Sequence, residues 1–357
     1  MLSCAIDGMY LNSELFSHFR GSSSIGYLKV KKNDLILSAQ NLHLGNCNVN
    51  LRFEHGIISP AYKVYELVDC NPLFIQAWVK QDSTKDFFLK ASTEGASVCR
   101  KNIVWEELYE QTVSVPEIKE QEKIGYYFQS LDHLITLHQR KCDETKQLKK
   151  FMLQKMFPKN GEKNPEIRFE GFTDDWEQRK VSDITNSYSG GTPKSGTSEY
   201  YDGNIPFIRS GEIYSDKTEL FISELGMNYS SAKRVHIGDI LYALYGATSG
   251  EVSRAKLDGA INQAILAIIP NQDINADFLV EWFRKEKDKI INTYLQGGQG
   301  NLSAQIIKEL VVMIPSKEEQ YKLGNYFTYI NRLITLHQRK CEKLKELKKF
   351  MLQKMFV

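Results

Sequence analysis

Two near-identical stretches decide the architecture of this chain. LITLHQRKC at Leu134–Cys142 returns at Leu333–Cys341, and LKKFMLQKMF at Leu148–Phe157 returns at Leu347–Phe356. Both pairs share an offset of 199 residues, and 20 of the 24 positions from Leu134 to Phe157 are identical in the second copy. Repetition at a fixed offset indicates duplicated structural units. Two copies are too few for a solenoid, so the repeat predicts two equivalent halves in a pseudo-two-fold arrangement.

The repeats have the sequence pattern of long helices. Apolar residues recur in alternating steps of four and three, which is the seam of a coiled coil. Ser316 and Glu319 form a capping-box pattern after Pro315, while Pro158 and Gly161 end the first repeat. We therefore predict two long antiparallel helices. The predicted partner-helix interface consists of Ile124, Phe128, Leu131, Ile135, Leu323, Phe327, Ile330, Ile334, Leu344 and Met351.

Polar residues interrupt this seam at the same place in each repeat. His138 and Cys142 stand four residues apart, as do His337 and Cys341. Two histidines and two cysteines are the ligands of one class of zinc site. A polar layer that sets helix register, with cysteine packing as a small apolar side chain, is the interpretation we favour. No metal is predicted.

Composition and charge limit the function classes. The 357 residues are 42% apolar and 25% charged, typical of a soluble globular protein, and no apolar run reaches membrane-spanning length. Six scattered cysteines predict reduced thiols in the cytoplasm. Residues 165–314 carry 15 basic and 21 acidic side chains, whereas residues 315–357 carry 10 and 4. Positive charge therefore lies on the repeats, and no membrane partner is predicted.

The regions between the helices predict mixed α/β domains. Strand-like runs at Ile205–Ser210, Asp239–Gly246 and Gln263–Pro270 precede a helical pattern at Asp277–Leu295. We assign residues 1–115 and 161–314 to two domains, and residues 116–160 and 315–357 to the helices. The first domain aligns only with the later part of the second. It is short by about 40 opening residues, which include any counterpart of SGGTPKSGT at Ser189–Thr197.

Catalytic motifs are weak in this chain. GGTPKSGT lacks the Gly-Lys-Ser/Thr end of a phosphate loop, and NPLF at Asn71–Phe74 lacks the second proline of an amino-methyltransferase signature. We predict no catalytic residue and no resident cofactor. Glycine-rich loops with polar side chains instead offer donors to phosphates and base edges, although turn formation alone also favours these residues. The candidate DNA-binding residues are Arg179, Lys180, Thr192, Lys194, Arg209, Lys233, Arg234, Tyr245, Thr248, Gln299 and Asn301, with Gln40 and Asn41 in the first domain.

The layout resembles the specificity subunit of type I restriction-modification systems. The resemblance is carried by P-x-x-x-E-Q-x-K-[IL]-G at Pro116–Gly125 and Pro315–Gly324, and by the LKKFMLQKMF helix ends. W-E-x-R-K-V at Trp176, GGTP at Gly190, GDIL at Gly238 and NQA at Asn262 support it. It implies two target-recognition domains, each reading half of a bipartite site in double-stranded DNA. It also implies that the helices dock two methyltransferase subunits and, through them, restriction subunits, with S-adenosylmethionine bound by the methyltransferase.

Three alternatives to a working specificity subunit remain open. The first is an adaptor that binds only proteins. The second is an inactive or half-specific remnant that needs a complementing fragment, and the third is a methylase whose donor site is not recognisable. A net charge of −6 over residues 165–314 opposes tight phosphate binding. We therefore expect weak DNA binding by the isolated chain.

Overall fold

The computed structural model describes residues 1–17, 25–97, 100–159, 161–295 and 301–356. It divides into two compact units, Met1–Lys141 with Leu336–Val357, and Cys142–Thr335. Each long helix is therefore shared between the two units, whereas the boundaries predicted at 115, 160 and 314 keep each helix whole. None of the described helices is long and apolar enough to cross a bilayer.

The first unit is a small α/β domain that continues into a long helix. Its strands are β1 (Leu2–Ala5), β2 (Gly8–Leu11), β3 (Leu28–Lys31), β4 (Leu35–Ser38), β5 (Cys47–Val49), β6 (His55–Ile58), β7 (Tyr62–Tyr65), β8 (Ser92–Ser97) and β9 (Arg100–Ile103). Its helices are α1 (Asn12–Leu15), α2 (Pro72–Trp78), α3 (Asp82–Lys90), α4 (Trp105–Tyr109) and the first part of α5 (Ile118–Lys155). Strand β4 lies between β5 and β7, antiparallel to both, and β3 pairs with β6.

The second unit contains two four-stranded sheets. Its strands are β10 (Glu177–Lys180), β11 (Thr185–Ser189), β12 (Ile205–Ile208), β13 (Phe221–Ile222), β14 (Lys233–Val235), β15 (Ile240–Ala243), β16 (Val252–Arg254), β17 (Gly259–Ile261), β18 (Ile265–Pro270) and β19 (Val311–Ile314). Its helices are α6 (Val181–Ile184), α7 (Glu224–Asn228), α8 (Ala276–Tyr294), α9 (Ala304–Glu309) and the first part of α10 (Lys317–Met355). The sheet orders are β11-β18-β15-β16 and β13-β12-β17-β14, and β10 pairs with β19.

Strands β15 and β18 are apolar throughout because both of their faces are covered. Tyr242 and Leu266 pack in the core cluster that contains α8, whereas Leu241 and Ala267 pack in the cluster that contains side chains of the other sheet. A strand buried on both faces reads as a continuous apolar run rather than an alternating one. The mixed α/β class predicted from sequence is confirmed.

The segments aligned by sequence occupy the same place in each unit. Strand β4 pairs with β5 and β7 as β15 pairs with β16 and β18. Asn33 (φ 71°) and Gly238 (φ 97°) make the left-handed turn before the central strand, a conformation that asparagine tolerates better than most residues. Strand β18 also pairs with β11. In the described part of the first unit, the corresponding sheet has three strands rather than four.

The two long helices run antiparallel in the first unit. Lys348 Nζ lies 2.5 Å from Asp132 Oδ1, and His138 Nδ1 lies 3.0 Å from His337 Nδ1. Sequence numbers thus rise along α5 as they fall along α10. In the second unit, Asn331 of α10 donates to Glu281 of α8 at 2.9 Å.

The seam residues face the domain cores as well as the opposite helix. Ile124, Phe128 and Leu131 are buried in a cluster that contains Phe74 of α2. Leu344 and Met351 pack against the same cluster, and Ile135 is half-buried. In the second unit, Leu323, Phe327 and Ile330 are buried beside Phe278 of α8, with Ile334 packed against them.

The histidines and cysteines of the seam are placed as a polar layer. Cys341 Sγ lies 4.0 Å from the carbonyl oxygen of Ile135, and Cys142 Sγ lies 4.0 Å from that of Ile334. Among the described residues, no group of three or more His, Cys, Asp or Glu side chains is placed to hold a metal.

The glutamine of the repeated P-x-x-x-E-Q-x-K-[IL]-G motif joins each long helix to its domain. Gln320 Oε1 accepts a hydrogen bond from Asn275 N at 2.8 Å, and Gln320 Nε2 donates to the carbonyl of Pro315 at 3.0 Å. In the first unit, Gln121 Oε1 accepts from Asn71 N at 2.9 Å, and its Nε2 donates to Pro116 at 2.9 Å. The repeated motif is therefore a repeated structural joint.

The glycine of the same motif makes room for a helix cap. Asn275 Oδ1 caps α8 by accepting from Phe278 N at 2.9 Å. A Cβ on Gly324 would lie 2.6 Å from that Oδ1 atom, and a Cβ on Gly125 would lie 3.0 Å from Asn71 Oδ1. The distance at Gly324 is too short for a methyl group, and at Gly125 the Cβ would also lie 2.7 Å from Leu73 Cβ, so both positions favour glycine.

Candidate nucleic-acid interface

One end of the second unit gathers several polar loops, which together we name the loop edge. It comprises Gly190–Lys194, Ser231–Arg234, Arg209, Ile261–Gln263, Tyr245 and Asn301. Gly191 N donates to Ile261 O at 3.2 Å, and Asn262 N donates to Ile208 O at 3.4 Å. Leu302 N donates to Leu244 O at 3.0 Å, which places Asn301 near Tyr245.

Two glycines allow the first loop to pass close to its neighbours. A Cβ on Gly190 would lie 1.9 Å from the carbonyl oxygen of Ile261, and a Cβ on Gly191 would lie 1.9 Å from Ser231 Oγ. Any other residue would force the loop outward. The GGTP sequence therefore fixes the position of Thr192.

Gln263 is the centre of the loop edge. Its Oε1 accepts a hydrogen bond from Thr192 Oγ1, and its side chain lies beside Tyr245. Partial burial raises the pKa of Tyr245, and the neighbouring Gln263 side chain offsets part of that rise. We missed Gln263 as a site residue, although the NQA turn between two buried strands was a usable signal. An exposed amide held at such a turn presents both donors and acceptors.

Four of the predicted basic residues lie at the loop edge, and two of them form ion pairs with glutamates. Arg209 is 2.9 Å from Glu212, and Arg234 is 2.6 Å from Glu224. Lys194 and Lys233 are exposed, and no carboxylate of the described residues pairs with either. These two lysines are the cations best placed to meet an anionic ligand.

Arg179 and Lys180 lie apart from the loop edge. Both are in β10, where Lys180 is 2.7 Å from Glu309 and Arg179 is 3.9 Å from Glu177. Strand β11 begins at Thr185 and reaches the loop only after Ser189, a rise of roughly 15 Å. The predicted basic residues thus do not form one continuous patch, because β11 separates them.

The remaining candidate residues are not among those that form the loop edge. Thr248 is half-buried in the turn between β15 and β16. Gln40 is exposed after β4, at the position that corresponds to Tyr245, and Asn41 begins a 3₁₀ turn at Leu42–Leu44. Gln299 lies outside the described residues. The first unit has a partial counterpart of the loop edge, without a described GGTP loop.

Comparison with known proteins gives one consistent family. The family model for the type I restriction modification DNA specificity domain matches residues 173–346. The MjaIX specificity subunit of Methanocaldococcus jannaschii is 29% identical over 184 residues, covering 48% of this chain and 42% of that protein. The MjaVIII specificity subunit of the same organism is 22% identical over 95% of this chain and 83% of its own length.

Solved structures share the fold. The type I restriction-modification S subunit from M. genitalium matches with a TM-score of 0.66 and 15% identity, covering 92% of this chain and 84% of that chain. The HsdS subunit from Thermoanaerobacter tengcongensis matches with a TM-score of 0.50 and 17% identity, covering 92% and 81%. The match to the first curated relative spans about two fifths of its length, 42%. Residues 173–346 thus match the type I restriction modification DNA specificity domain, and the chain, with its helical repeats and paired α/β units, is similar to specificity subunits of type I restriction-modification systems.

Proposed function

We propose that this chain is the DNA sequence-specificity subunit of a type I restriction-modification complex and is not itself an enzyme. The observation that carries the proposal is the loop edge, where Gln263 holds Thr192 and Tyr245 beside unpaired lysines. Amide, hydroxyl and ammonium groups are those that read base edges and grip phosphates. The second domain then reads one half of a bipartite site in double-stranded DNA, and the first domain reads the other through Gln40 and Asn41.

The acidic balance of residues 165–314 leads us to assign binding of the DNA backbone to partner subunits. Residues 165–314 carry 15 basic and 21 acidic side chains, and Arg209 and Arg234 are already ion-paired. Because phosphate neutralisation supplies most non-specific affinity, the chain contributes selectivity and its methyltransferase partners hold the duplex. Those partners also bind S-adenosylmethionine and recruit restriction subunits. The assembly acts in the cytoplasm.

The long helices offer two equivalent docking surfaces for methyltransferase subunits. Phe151 is 49% exposed, and its repeat Phe350 is 55% exposed. Leu148 and Leu347 are exposed one helical turn earlier in each repeat. Exposed apolar pairs of this kind mark interaction sites more often than single residues do. Their repetition supports a stoichiometry of two methyltransferase subunits.

The test is genome-wide mapping of methylated adenines in cells that carry the methyltransferase with wild-type chain, with Gln263→Ala, or without the chain. We expect one bipartite motif with the wild-type chain and none without it. Gln263→Ala should relax or abolish one half of the motif only, since one good base contact contributes about 1–3 kcal/mol. Gln178→Ala, an exposed glutamine of β10, is the matched control.

Two results would contradict the proposal. A motif that persists without the chain would assign specificity to another protein. If the purified complex contained the chain and methyltransferase but bound no DNA more tightly than methyltransferase alone, the chain would be a protein-binding adaptor. Tight sequence-specific binding by the isolated chain would refute only the division of labour between selectivity and backbone binding.

A further inference from the structure

We propose that the first unit holds a binding site for a phosphate group, in a cavity at the start of α3 beside α5 and α10. This cavity, which we name the lysine cavity, has a volume of about 460 Å³. Its lining includes Lys80, Gln81, Asp132, Lys345, Lys348 and Lys349. The phosphate group belongs either to the backbone of bound DNA, in which case the inference rests on the function proposed above, or to a free anion.

The lining of the lysine cavity carries more positive than negative charge. Four lysines and two aspartates line it. Asp82 Oδ1 lies 2.9 Å from Lys85 Nζ, and Asp132 Oδ1 lies 2.5 Å from Lys348 Nζ. Each aspartate therefore already has an ammonium partner, and neither is free to neutralise the remaining lysines.

The remaining lysines keep donors for a ligand. Lys345 and Lys349 are exposed, and no carboxylate in the part of the chain that the structure describes pairs with either. Lys80 Nζ donates to the carbonyl oxygens of Ile6 at 2.7 Å and Cys47 at 2.8 Å, which leaves one of its three donors. No arginine is among the described residues that line the cavity. Lysines alone suit a phosphate better than a planar carboxylate, which favours the fork of arginine.

Gln81 adds a neutral donor at the start of α3. It is only 7% exposed and borders the lysine cavity. Its side chain makes no hydrogen bond to any described residue, and it does not cap α3. Because a buried amide without a partner is costly, a ligand that accepts from Gln81 removes that cost. The uncapped start of the nine-residue helix α3 also favours an anion.

The second unit holds an anion of its own at the corresponding position. Glu281 is 3% exposed, and its carboxylate lies 2.8 Å from Lys149 Nζ and 2.9 Å from Asn331 Nδ2. Arg284 binds the same carboxylate. This arrangement of helices thus accommodates a negative charge between a lysine of the repeat and a cation of α8.

The first unit has the cations of this arrangement without the buried carboxylate. Lys348 takes the position of the lysine in the repeat. Counted from the asparagine caps of α2 and α8, Lys80 takes the position of the arginine and Ala77 that of the glutamate. Burial lowers the pKa of Lys80, and the neighbouring Lys348 ammonium lowers it further. A phosphate between these two cations supplies the negative charge that Ala77 lacks.

The lysine cavity lies next to the candidate DNA-binding turn of the first unit. Lys80 Nζ binds the carbonyl of Cys47, which begins β5. A Cβ on Gly45, in the turn that follows Gln40, would lie 3.4 Å from Lys85 Cε of α3. This position favours a backbone phosphate of bound DNA as the occupant. A single contact of this kind is compatible with partner subunits that hold most of the duplex.

The first measurement is titration calorimetry of the full chain with inorganic phosphate, at an ionic strength kept constant with chloride. We expect saturable binding to one site. Lys349→Gln should weaken it about tenfold, since a hydrogen bond to a charged group is worth about that much. Gln81→Glu should abolish it by placing a carboxylate in the cavity. Lys150→Gln, at the same position of the first helical repeat but in the second unit, is the matched control.

The second measurement is DNA binding by the complex of the chain with methyltransferase, over a range of salt concentrations. If DNA supplies the phosphate, Lys349→Gln should reduce the slope of log K against log salt by about 1 and leave the methylated motif unchanged. A wild-type slope together with weakened binding of inorganic phosphate would identify a free anion as the occupant. Lys150→Gln also controls for methyltransferase docking, because identical residues flank both lysines.

Two results would overturn the site. The first is phosphate binding that is absent, or unaffected by Lys349→Gln and Gln81→Glu, together with equal salt slopes for all variants. The second is an equal loss in Lys349→Gln and Lys150→Gln, which would reflect general charge rather than the cavity. Circular dichroism checks that each variant is folded. If the complex bound no DNA while the chain bound phosphate, the function proposed above would fail and the site would stand.

Discussion

Gly324→Ala sets two physical effects against each other at the joint between α10 and the second domain. In an isolated helix, alanine is favoured over glycine by about 1 kcal/mol. Gly324 lies inside α10, so helix propensity alone predicts a more stable protein. The structure predicts the opposite sign.

The opposing cost comes from the cap of α8. The new Cβ would lie 2.6 Å from Asn275 Oδ1 and 3.2 Å from Phe278 N, the two atoms joined by the capping hydrogen bond. Overpacking costs about 1–3 kcal/mol, and loss of an asparagine cap costs about 1 kcal/mol. After the gain in helix propensity, we expect a net destabilisation of about 1–3 kcal/mol.

The assay is urea unfolding followed by circular dichroism, with Gly211→Ala as the matched control. A Cβ on Gly211 has no heavy atom within 4 Å, so that variant should stay within about 0.5 kcal/mol of wild type. Gly125→Ala should repeat the loss in the first unit, where its Cβ would lie 2.7 Å from Leu73 Cβ. If Gly324→Ala unfolded at higher urea than wild type, the proposed joint would be refuted.

Two further predictions concern charges on the helices. Glu281→Ala removes a buried carboxylate whose oxygen lies 2.8 Å from Lys149 Nζ. The free energy of unfolding in urea should fall by about 3–5 kcal/mol, because the ammonium loses its partner. Asp288→Ala, at an exposed position, should leave the free energy of unfolding nearly unchanged, and an equal loss in both variants would contradict the prediction. Burial, His337 and nearby lysines hold the pKa of His138 below its usual 6.5. The unfolded chain therefore takes up the proton first as pH falls, so stability is full above about pH 6.5 and declines on acidification. His138→Asn should flatten the unfolding free energy between about pH 7.5 and 5.5, whereas a profile that keeps its slope would exclude this histidine as the cause.

The long helices were predictable because their signals are local. Period, capping residues and the fixed offset of 199 residues all report on the same backbone conformation, and the hydrogen bonds of a helix join residues only four apart in sequence. The repeated glutamine and glycine were visible as a motif. Their partners, Asn71 and Asn275, lie 50 and 45 residues away, so the joint that they form was not predictable.

The candidate site was only partly predictable for the same reason. Thr192, Lys194, Tyr245 and Lys233 were identified from loop composition, and the fold brings them to one edge. Gln263 was missed because its importance comes from where β18 places it, against Thr192 and Tyr245. Arg179 and Lys180 matched the expected chemistry but are separated from the edge by β11.

The amino-acid sequence by itself determined that this chain has two antiparallel helical repeats and two α/β regions, and that it resembles one family. These properties depend on periodicity, composition and order along the chain. The tertiary structure alone decided which polar side chains converge and which cations are already neutralised. Convergence and neutralisation are set by distances between residues remote in sequence, and those distances exist only once the sheets have paired and the cores have packed.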